Sequence, residues 1–392
     1  MWRAIASNAL TFFIVVLVVI SGLLAWGRAE YSGPGPLVDA ACVKVDRGAS
    51  LSSVSRVLET SGVISDARVF RIGADYSGAG AGLKFGSYLV PAGASMVDVL
   101  GIITEGGQST CGREVNFRIG VNSADVILRE LDAATGRYLE VVKFDPAVDV
   151  APQTYLDAVA DADLRYRVTL AEGVTSWQVV DVLRRADFMD GEIAAVPAEG
   201  SLAPDSYEVT RGGDRAALIG AMEERQVRVL AEEWAERAPD LPYASPEEAL
   251  IMASIVEKET GIAEERRQVA SVFVNRLRKG MRLQTDPTVI YGVTNGEGVL
   301  GRGLRQSELR RETPYNTYVI PALPPTPIAN PGRLSIEAAL NPDDTPFIFF
   351  VADGTGGHAF AVTLEDHNAN VVKWRAIEAQ QGQNAVTGVQ GN

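Results

Sequence analysis

Two carboxylates stand two residues apart at the end of an apolar run, in Met252-Ala-Ser-Ile-Val-Glu-Lys-Glu-Thr-Gly261. A carboxyl held against apolar walls, near the negative end of a helix dipole, keeps its proton more tightly, which suits a general acid at neutral pH. On a helix, Glu257 and Glu259 point about 200° apart, so both cannot line one cleft. The spacing also fits two solvated glutamates in a last helical turn, where Glu usually lies. The element that must position them is legible around them. Ser245, with Pro246 at the first helical position and Glu248 three residues on, reads as a capping box, and Gly261 reads as a stop. The helix between would be about 15 residues and roughly 22 Å long. Ala249 to Val256 is apolar apart from Ser254, so this helix is expected to be buried on most sides.

Around this helix lie residue types that could complete a site. Ala263 to Arg278 reads as a second helix stopped at Gly280, with Val269, Val272, Phe273 and Leu277 on its buried face. Arg276 shares that face, so its charge must meet a carboxylate or a carbonyl. Asn275 lies at the edge, where an amide could bind a sugar N-acetyl or hydroxyl group. Gln284, Asp286, Tyr291, Tyr315, Asn316 and Asn330 offer amides and a carboxylate for hydroxyls, and aromatic faces for a pyranose. The same Asn, Asp and Pro clusters also build turns, which is the structural alternative for each. The chain has two histidines, His358 and His367. Their spacing, with Glu365 nearby, follows no helical metal pairing, and no metal is expected. His358 is either a satisfied structural histidine or a hydrogen-bonding partner for substrate. Phosphate-loop, dinucleotide and Gly-x-Ser-x-Gly signatures do not occur, so no cofactor is expected.

The 392 residues carry a formal charge of −14, which argues against nucleic-acid binding. Residues 4–27 contain no charged side chain, a run long enough to cross about 30 Å of hydrocarbon. A weak positive bias places the N-terminus inside and residues 28–392 on the far side. A cleaved signal peptide is the rival reading. The two cysteines, Cys42 and Cys111, could pair in an oxidising compartment or stay as two buried thiols. Four segments share one phrase: Val45 to Ser50, Val90 to Ser95, Ile119 to Ser123 and Leu170 to Ser176 each read as strand, glycine turn, Ser/Thr cap and short amphipathic helix. This grammar is similar to that of glycan-binding LysM modules, with two copies in residues 43–108. It also fits a generic capped turn without a ligand. The third copy is expected to continue as a helix to Gly136. Residues 109–165, with Pro146, Pro152 and five aspartates from Asp145 to Asp163, read as a loop-rich insertion of unknown role.

A longer series of motifs resembles one family. It comprises Leu202-Ala-Pro-Asp-Ser-Tyr207, the Glu-Lys-Glu helix, Val272-Phe-Val-Asn-Arg-Leu277, Gly280 to Gly292 and Thr313-Pro-Tyr-Asn-Thr-Tyr318. It continues through Leu323-Pro-Pro325, Ile328-Ala-Asn-Pro-Gly332, Phe350-Val-Ala-Asp-Gly354 and Gly356-Gly-His-Ala-Phe360. This series closely resembles the endolytic murein transglycosylases of the YceG-like family. The resemblance implies an α+β chain with a single N-terminal transmembrane helix, a LysM-like small α/β subdomain and a larger mixed α+β catalytic domain. The expected divisions are a cytoplasmic stub (1–7), the span (8–27), a linker (28–42), the LysM-like subdomain (43–108), the insertion (109–165), the catalytic domain (166–378) and a polar tail (379–392). It further implies a single-pass inner-membrane lyase of the cell wall, acting on peptidoglycan glycan strands in the periplasm as a terminase of their elongation. Peptidoglycan synthases are candidate partners. Matched residue by residue, Glu259 is the implied catalytic acid, leaving 1,6-anhydro ends, with Glu257 in a supporting place. A non-catalytic glycan-binding scaffold and a hydrolytic muramidase are the alternatives.

Overall fold

The uncharged N-terminal run folds as part of one helix, α1 (Trp2–Ser32), in a computed structural model that describes residues 2–105 and 109–388. From Leu10 to Ser32 this helix is long and apolar enough to cross a membrane, and none of its most apolar window is buried inside the protein. Two compact units follow from the Cα packing: Met1–Asn116 with Ile127–Phe144 and Val150–Tyr166, and Phe117–Val126 with Asp145–Asp149 and Arg167–Asn392.

In the first unit, β1 (Ala41–Val45) pairs antiparallel with β2 (Gly86–Val90). Helices α2 (Leu51–Thr60), α3 (Ala67–Ser77) and α4 (Met96–Glu105) accompany them. Ser50 caps α2 through the Ser53 N–H, and Asp66 caps α3. Leu58, Phe70, Val90, Val99 and Ile103 form the fully enclosed centre. The first two copies of the strand-turn-helix phrase therefore form as the sequence implies. Of the expected linker over 28–42, residues 33–40 have no regular structure, while its two ends belong to α1 and β1. Helix α1 continues to Ser32, Ser65 donates to Glu30, and Gly35 donates to the Gly93 carbonyl at 3.1 Å. The reason is contact: a Cβ at Gly73 would run into the Tyr31 ring, so glycine lets α3 seat against the last turn of α1. Cys42 and Cys111 are disulfide-bonded, with Cα atoms 5.7 Å apart. The expected end of this module falls on residues 106–108, which lie outside the described residues.

The expected loop-rich insertion is instead β3 (Arg113–Ile119), β4 (Ala124–Asp132), β5 (Arg137–Phe144) and α5 (Gln153–Val159). The third copy of the phrase is thus a correction, because Ser123 leads into strand β4 rather than a helix. Alternating burial along Ala124, Val126 and Leu128 is the period of a strand, and β-branched Val126 and Ile127 favour it. Gly136, at φ 66°, turns the chain between β4 and β5. With β6 (Arg165–Leu170) and β8 (Ser206–Val209) these strands form a sheet in the order β5-β4-β3-β6-β8. Glu114 is buried on β3 and accepts from Arg129 Nε at 3.0 Å.

In the second unit, Thr175 and Gln178 make a full capping box for α6 (Ser176–Leu183), so the fourth copy forms as read. Strand β7 (Met189–Asp190) pairs in parallel with β9 (Gly213–Asp214), and β8 (Ser206–Val209) lies at the sheet edge. Then come α7 (Arg215–Ala235), α8 (Pro246–Glu259), α9 (Arg266–Arg278), α10 (Asp286–Thr294), α11 (Gln306–Arg310) and α12 (Arg333–Leu340). A hairpin of β10 (Phe349–Ala352) and β11 (His358–Ala361) precedes α13 (Leu364–Gly388). The tail expected from residue 379 continues α13 to Gly388, and residues 389–392 lie outside the described residues. Helix α8 is the core. Met252, Ala253, Ile255 and Val256 are fully enclosed, packed with Phe273, Val274, Ile336 and Leu340 of α9 and α12. Burying each large aliphatic chain contributes about 1.5–3 kcal/mol, so this contact fixes where the end of α8 can lie.

Candidate active site

Three consecutive side chains at the end of α8 reach three different segments. Glu257 Oε2 accepts the Gly332 N–H at 3.0 Å, at the start of α12. Lys258 Nζ donates to the Gly173 carbonyl at 3.2 Å. Glu259 Oε1 accepts from the Thr285 hydroxyl. The 100° step of the helix sends these groups apart, as the spacing requires. The helix ends where its glycine suggested: Thr260, just before Gly261, is the C-cap, in extended conformation, and its N–H reaches the Val256 carbonyl. At the other end, Ser245 accepts the Glu248 N–H, while Glu248 turns to the Ala244 N–H at 2.7 Å.

Glu259 keeps a partly accessible surface. Burial raises its pKa above the ordinary carboxylate value, and the negative charge of nearby Asp286 adds to this. The Thr285 hydroxyl, His358 and Arg276 pull in the opposite direction. The proton is favoured because the charged form lacks water. Asp286 is exposed and accepts from Tyr318 Oη at 2.7 Å. Arg276 is buried but meets carbonyls rather than a carboxylate, donating to Ile348 at 2.7 Å and Leu283 at 2.5 Å. His358 is half-buried, with Nδ1 2.8 Å from Glu265 Oε2 and its backbone N–H donating to Glu265 Oε1 at 3.0 Å. Gly357 makes this pairing possible, since a Cβ there would collide with the Glu265 carboxylate.

Thr285 is the residue that sequence reasoning passed over between Gln284 and Asp286. It stands at the N-cap of α10, where a threonine hydroxyl ordinarily binds the helix's own N–H groups. Here no such bond forms, and the hydroxyl turns to Glu259. Its backbone is held by Thr317, whose Oγ1 accepts the Thr285 N–H at 3.0 Å, and by Thr288, which donates to the Thr285 carbonyl at 2.8 Å. Gln284 has an exposed side chain and adopts φ 51°. A left-handed non-glycine residue costs on the order of 1 kcal/mol, and such strain gathers beside functional groups. The available signal was a threonine directly before Asp-Pro at a helix start, next to two polar candidates.

The structure gathers Glu259, Asp286, Arg276, His358 and Tyr318 into one electrostatic neighbourhood. The remaining candidates are held elsewhere by their own bonds. Asn275 Nδ2 donates to the Thr345 carbonyl at 2.7 Å and the Phe347 carbonyl at 3.0 Å, pinning the approach to β10. Asn316 is 0 % exposed and donates to the carbonyls of Glu308, Leu309 and Arg311. Asn330 is also 0 % exposed, donating to the Val174 carbonyl at 2.9 Å and accepting the Leu202 N–H at 2.9 Å. Asn316 and Asn330 are closed to a ligand in this structure, a correction with a simple cause: their amides replace missing backbone partners in irregular segments. Tyr291 and Tyr315 pack against each other as a tilted pair, with centroids 4.9 Å apart and ring planes at 57°. Their hydroxyls meet Glu199 at 3.1 Å and Thr326 at 2.8 Å. Glu199, which the sequence did not single out, also accepts the Ser176 N–H at 2.9 Å, and burial raises its pKa.

The YceG-like family model matches residues 43–373. A Bacillus subtilis (strain 168) protein named endolytic murein transglycosylase is 28% identical over 326 residues, covering 83% of this chain and 82% of its own length. A Streptococcus pneumoniae serotype 2 (strain D39 / NCTC 7466) protein of the same name is 25% identical over 341 residues, covering 84% of this chain and 58% of its own. A solved yceG-like protein of Listeria monocytogenes shares 26% identity with a TM-score of 0.45, over 84% of this chain and 99% of that one. With the family pattern running through both strand-helix units and the whole Glu259 neighbourhood, the chain belongs to the YceG-like family.

Proposed function

We propose that this chain is a membrane-anchored endolytic murein transglycosylase, cutting the glycan strands of peptidoglycan internally and ending their elongation. One observation carries the reading: the carboxyl of Glu259, at the end of a buried helix, is biased toward its protonated form and steadied by Thr285. Relatives covering most of the chain bear that name. Glu259 donates its proton to the glycosidic oxygen between N-acetylmuramic acid and N-acetylglucosamine. That bond breaks through an oxocarbenium-like state. The resulting carboxylate then takes the proton of the sugar's C6 hydroxyl, whose oxygen closes a 1,6-anhydro ring. No water is consumed, and Glu259 ends protonated. Gln284, Asp286 and His358 are the substrate-contact candidates that the geometry leaves open, and Glu257 holds the start of α12. The acidic chain offers no case for nucleic acid, and the chemistry asks for no cofactor or metal.

Helix α1 is the inner-membrane anchor in this reading, with residues 28–392 in the periplasm. Its seating on Gly73 and the Glu30–Ser65 bond support a segment that is retained rather than cleaved. Residues 43–108 act as a LysM-like glycan-binding module, and peptidoglycan synthases are the natural partners of an enzyme that cuts growing strands. A hydrolytic muramidase is the second reading, because Asp286 supplies a second carboxylate beside Glu259.

The test is mass spectrometry of fragments released from uncrosslinked glycan by the purified full-length protein. Anhydro ends are expected; fully hydrolysed ends would select the muramidase. Glu259→Gln keeps size and a hydrogen bond but has no carboxylic proton. It should lose about 10²–10⁴-fold in rate with its fold intact. Glu257→Gln should mainly lower stability. An active Glu259→Gln variant would overturn the assignment.

A further inference from the structure

We infer that helix α3 of the first unit is a membrane-interface element: its exposed Ile72–Tyr76 stripe lies in the lipid headgroup layer, beside the point where α1 leaves the bilayer. The inference rests on the anchor reading of α1. The uncharged run ends at Gly27, and Tyr31 is four residues further along the same helix. At 1.5 Å per residue that is about 6 Å beyond the apolar run. The headgroup region adds roughly 5–8 Å on each side of the hydrocarbon, so Tyr31 sits at headgroup depth. Tyr31 is also where α3 is bolted on, through the space left by Gly73. The two helices meet in one unit, so α3 inherits that depth.

The faces of α3 sort accordingly. With Gly73 facing α1, Phe70 and Ala74 lie about 60° and 100° to one side, and both are fully buried in the module core. Tyr76 and Ile72 lie about 60° and 100° to the other side. They are 94% and 70% exposed. Beyond them, Arg68 and Asp75 are exposed and charged. An exposed aromatic and a branched aliphatic one turn apart, between a membrane span and a charged face, is the arrangement of an interfacial helix, and tyrosine favours this layer. Lipid is the occupant because α3 seats on α1 at Tyr31, four residues past the uncharged run that the anchor reading places in the bilayer. The consequence is orientation: the module is held at two points, the span and α3, rather than swinging from the span alone.

The test uses the full-length chain with the native disulfide intact, reconstituted in phosphatidylethanolamine/phosphatidylglycerol vesicles. An environment-sensitive fluorophore is attached to a single introduced thiol, Ile72→Cys or, as the anchor reference, Trp26→Cys. Quencher lipids carry a spin label at the headgroup or the upper acyl chain. Both probes should be blue-shifted relative to water and should lose emission when the quencher lipid is included, with Ile72→Cys answering most strongly to the headgroup label. Tyr76→Cys should repeat the Ile72→Cys result, which guards against a local effect of one substitution. If Trp26→Cys is quenched while both α3 probes keep the emission they have without quencher, α3 stands clear of the membrane and the inference is wrong. If Trp26→Cys is unquenched too, the anchor reading falls, and the inference falls with it.

Discussion

Glu259 and Asp286 show how neighbouring carboxyls divide a task by environment. Glu259 is half-buried, and the loss of water raises its pKa; Asp286 is open to solvent and receives the Tyr318 hydroxyl. The sign of their coupling makes a prediction. Burial is the larger cause of the raised Glu259 pKa, and the charge of Asp286 is a further one. Activity that needs protonated Glu259 is lost as pH rises through that raised value. Asp286→Asn removes the negative neighbour while leaving an acceptor for Tyr318, so the alkaline limb of the rate profile should move to lower pH. It should remain above the ordinary carboxylate range, because burial is untouched. The measurement is the rate of fragment release against pH for both proteins. An unmoved limb would mean that the limb belongs to another group, and complete loss of activity with hydrolytic wild-type products would favour the two-carboxylate mechanism.

At the scale of elements, the site is made by one helix end and the irregular segments it pins. Glu257, Lys258 and Glu259 tie α8 to the start of α12, to Gly173 and to the start of α10. Asn330 performs the same office between residues 174, 176 and 202. An unsatisfied buried backbone group costs about 1–3 kcal/mol. Asn330→Ala strands the Leu202 N–H and leaves the Val174 carbonyl with only the Asn330 backbone N–H, and should lower the thermal midpoint by several degrees. Calorimetry checks this. A variant with unchanged stability but a raised KM would return Asn330 to the substrate side of the site.

At the scale of the whole molecule, α1 sets the topology. Among the described residues one helix segment, Leu10–Ser32, is long and apolar enough to span, and with its weak positive-inside bias it predicts that the chain beyond it is exported. A reporter fused after Asn392 that works only outside the cytoplasm should be active. The mature chain should retain Trp26 by N-terminal sequencing or intact mass. Cytoplasmic reporter activity, or a mature start beyond Ser32, would refute the anchor.

What the sequence determined by itself is whatever depends on near neighbours. Ser245-Pro246 starts α8, the apolar run buries it, and the 100° step separates Glu257 from Glu259. The Ser50, Ser95 and Thr175 turns lead into helices because a hydroxyl there meets N–H groups only a few residues away. The phrase after Ile119 fails because its strand partners lie further along the chain and in β3. Local spacing cannot report that pairing, so β4 wins over the capped turn. The tertiary structure alone decided that Asn316 and Asn330 spend their amides on the backbone, that Thr285 leaves its own helix for Glu259, and that Glu265 meets His358 across 93 residues. It also decided that α1 continues to Ser32 and that its Tyr31 seats on Gly73. The physical reason is the same in each case. A polar group's partner, and the water it loses, are set by which distant segments the hydrophobic core brings together, and residue type alone carries neither.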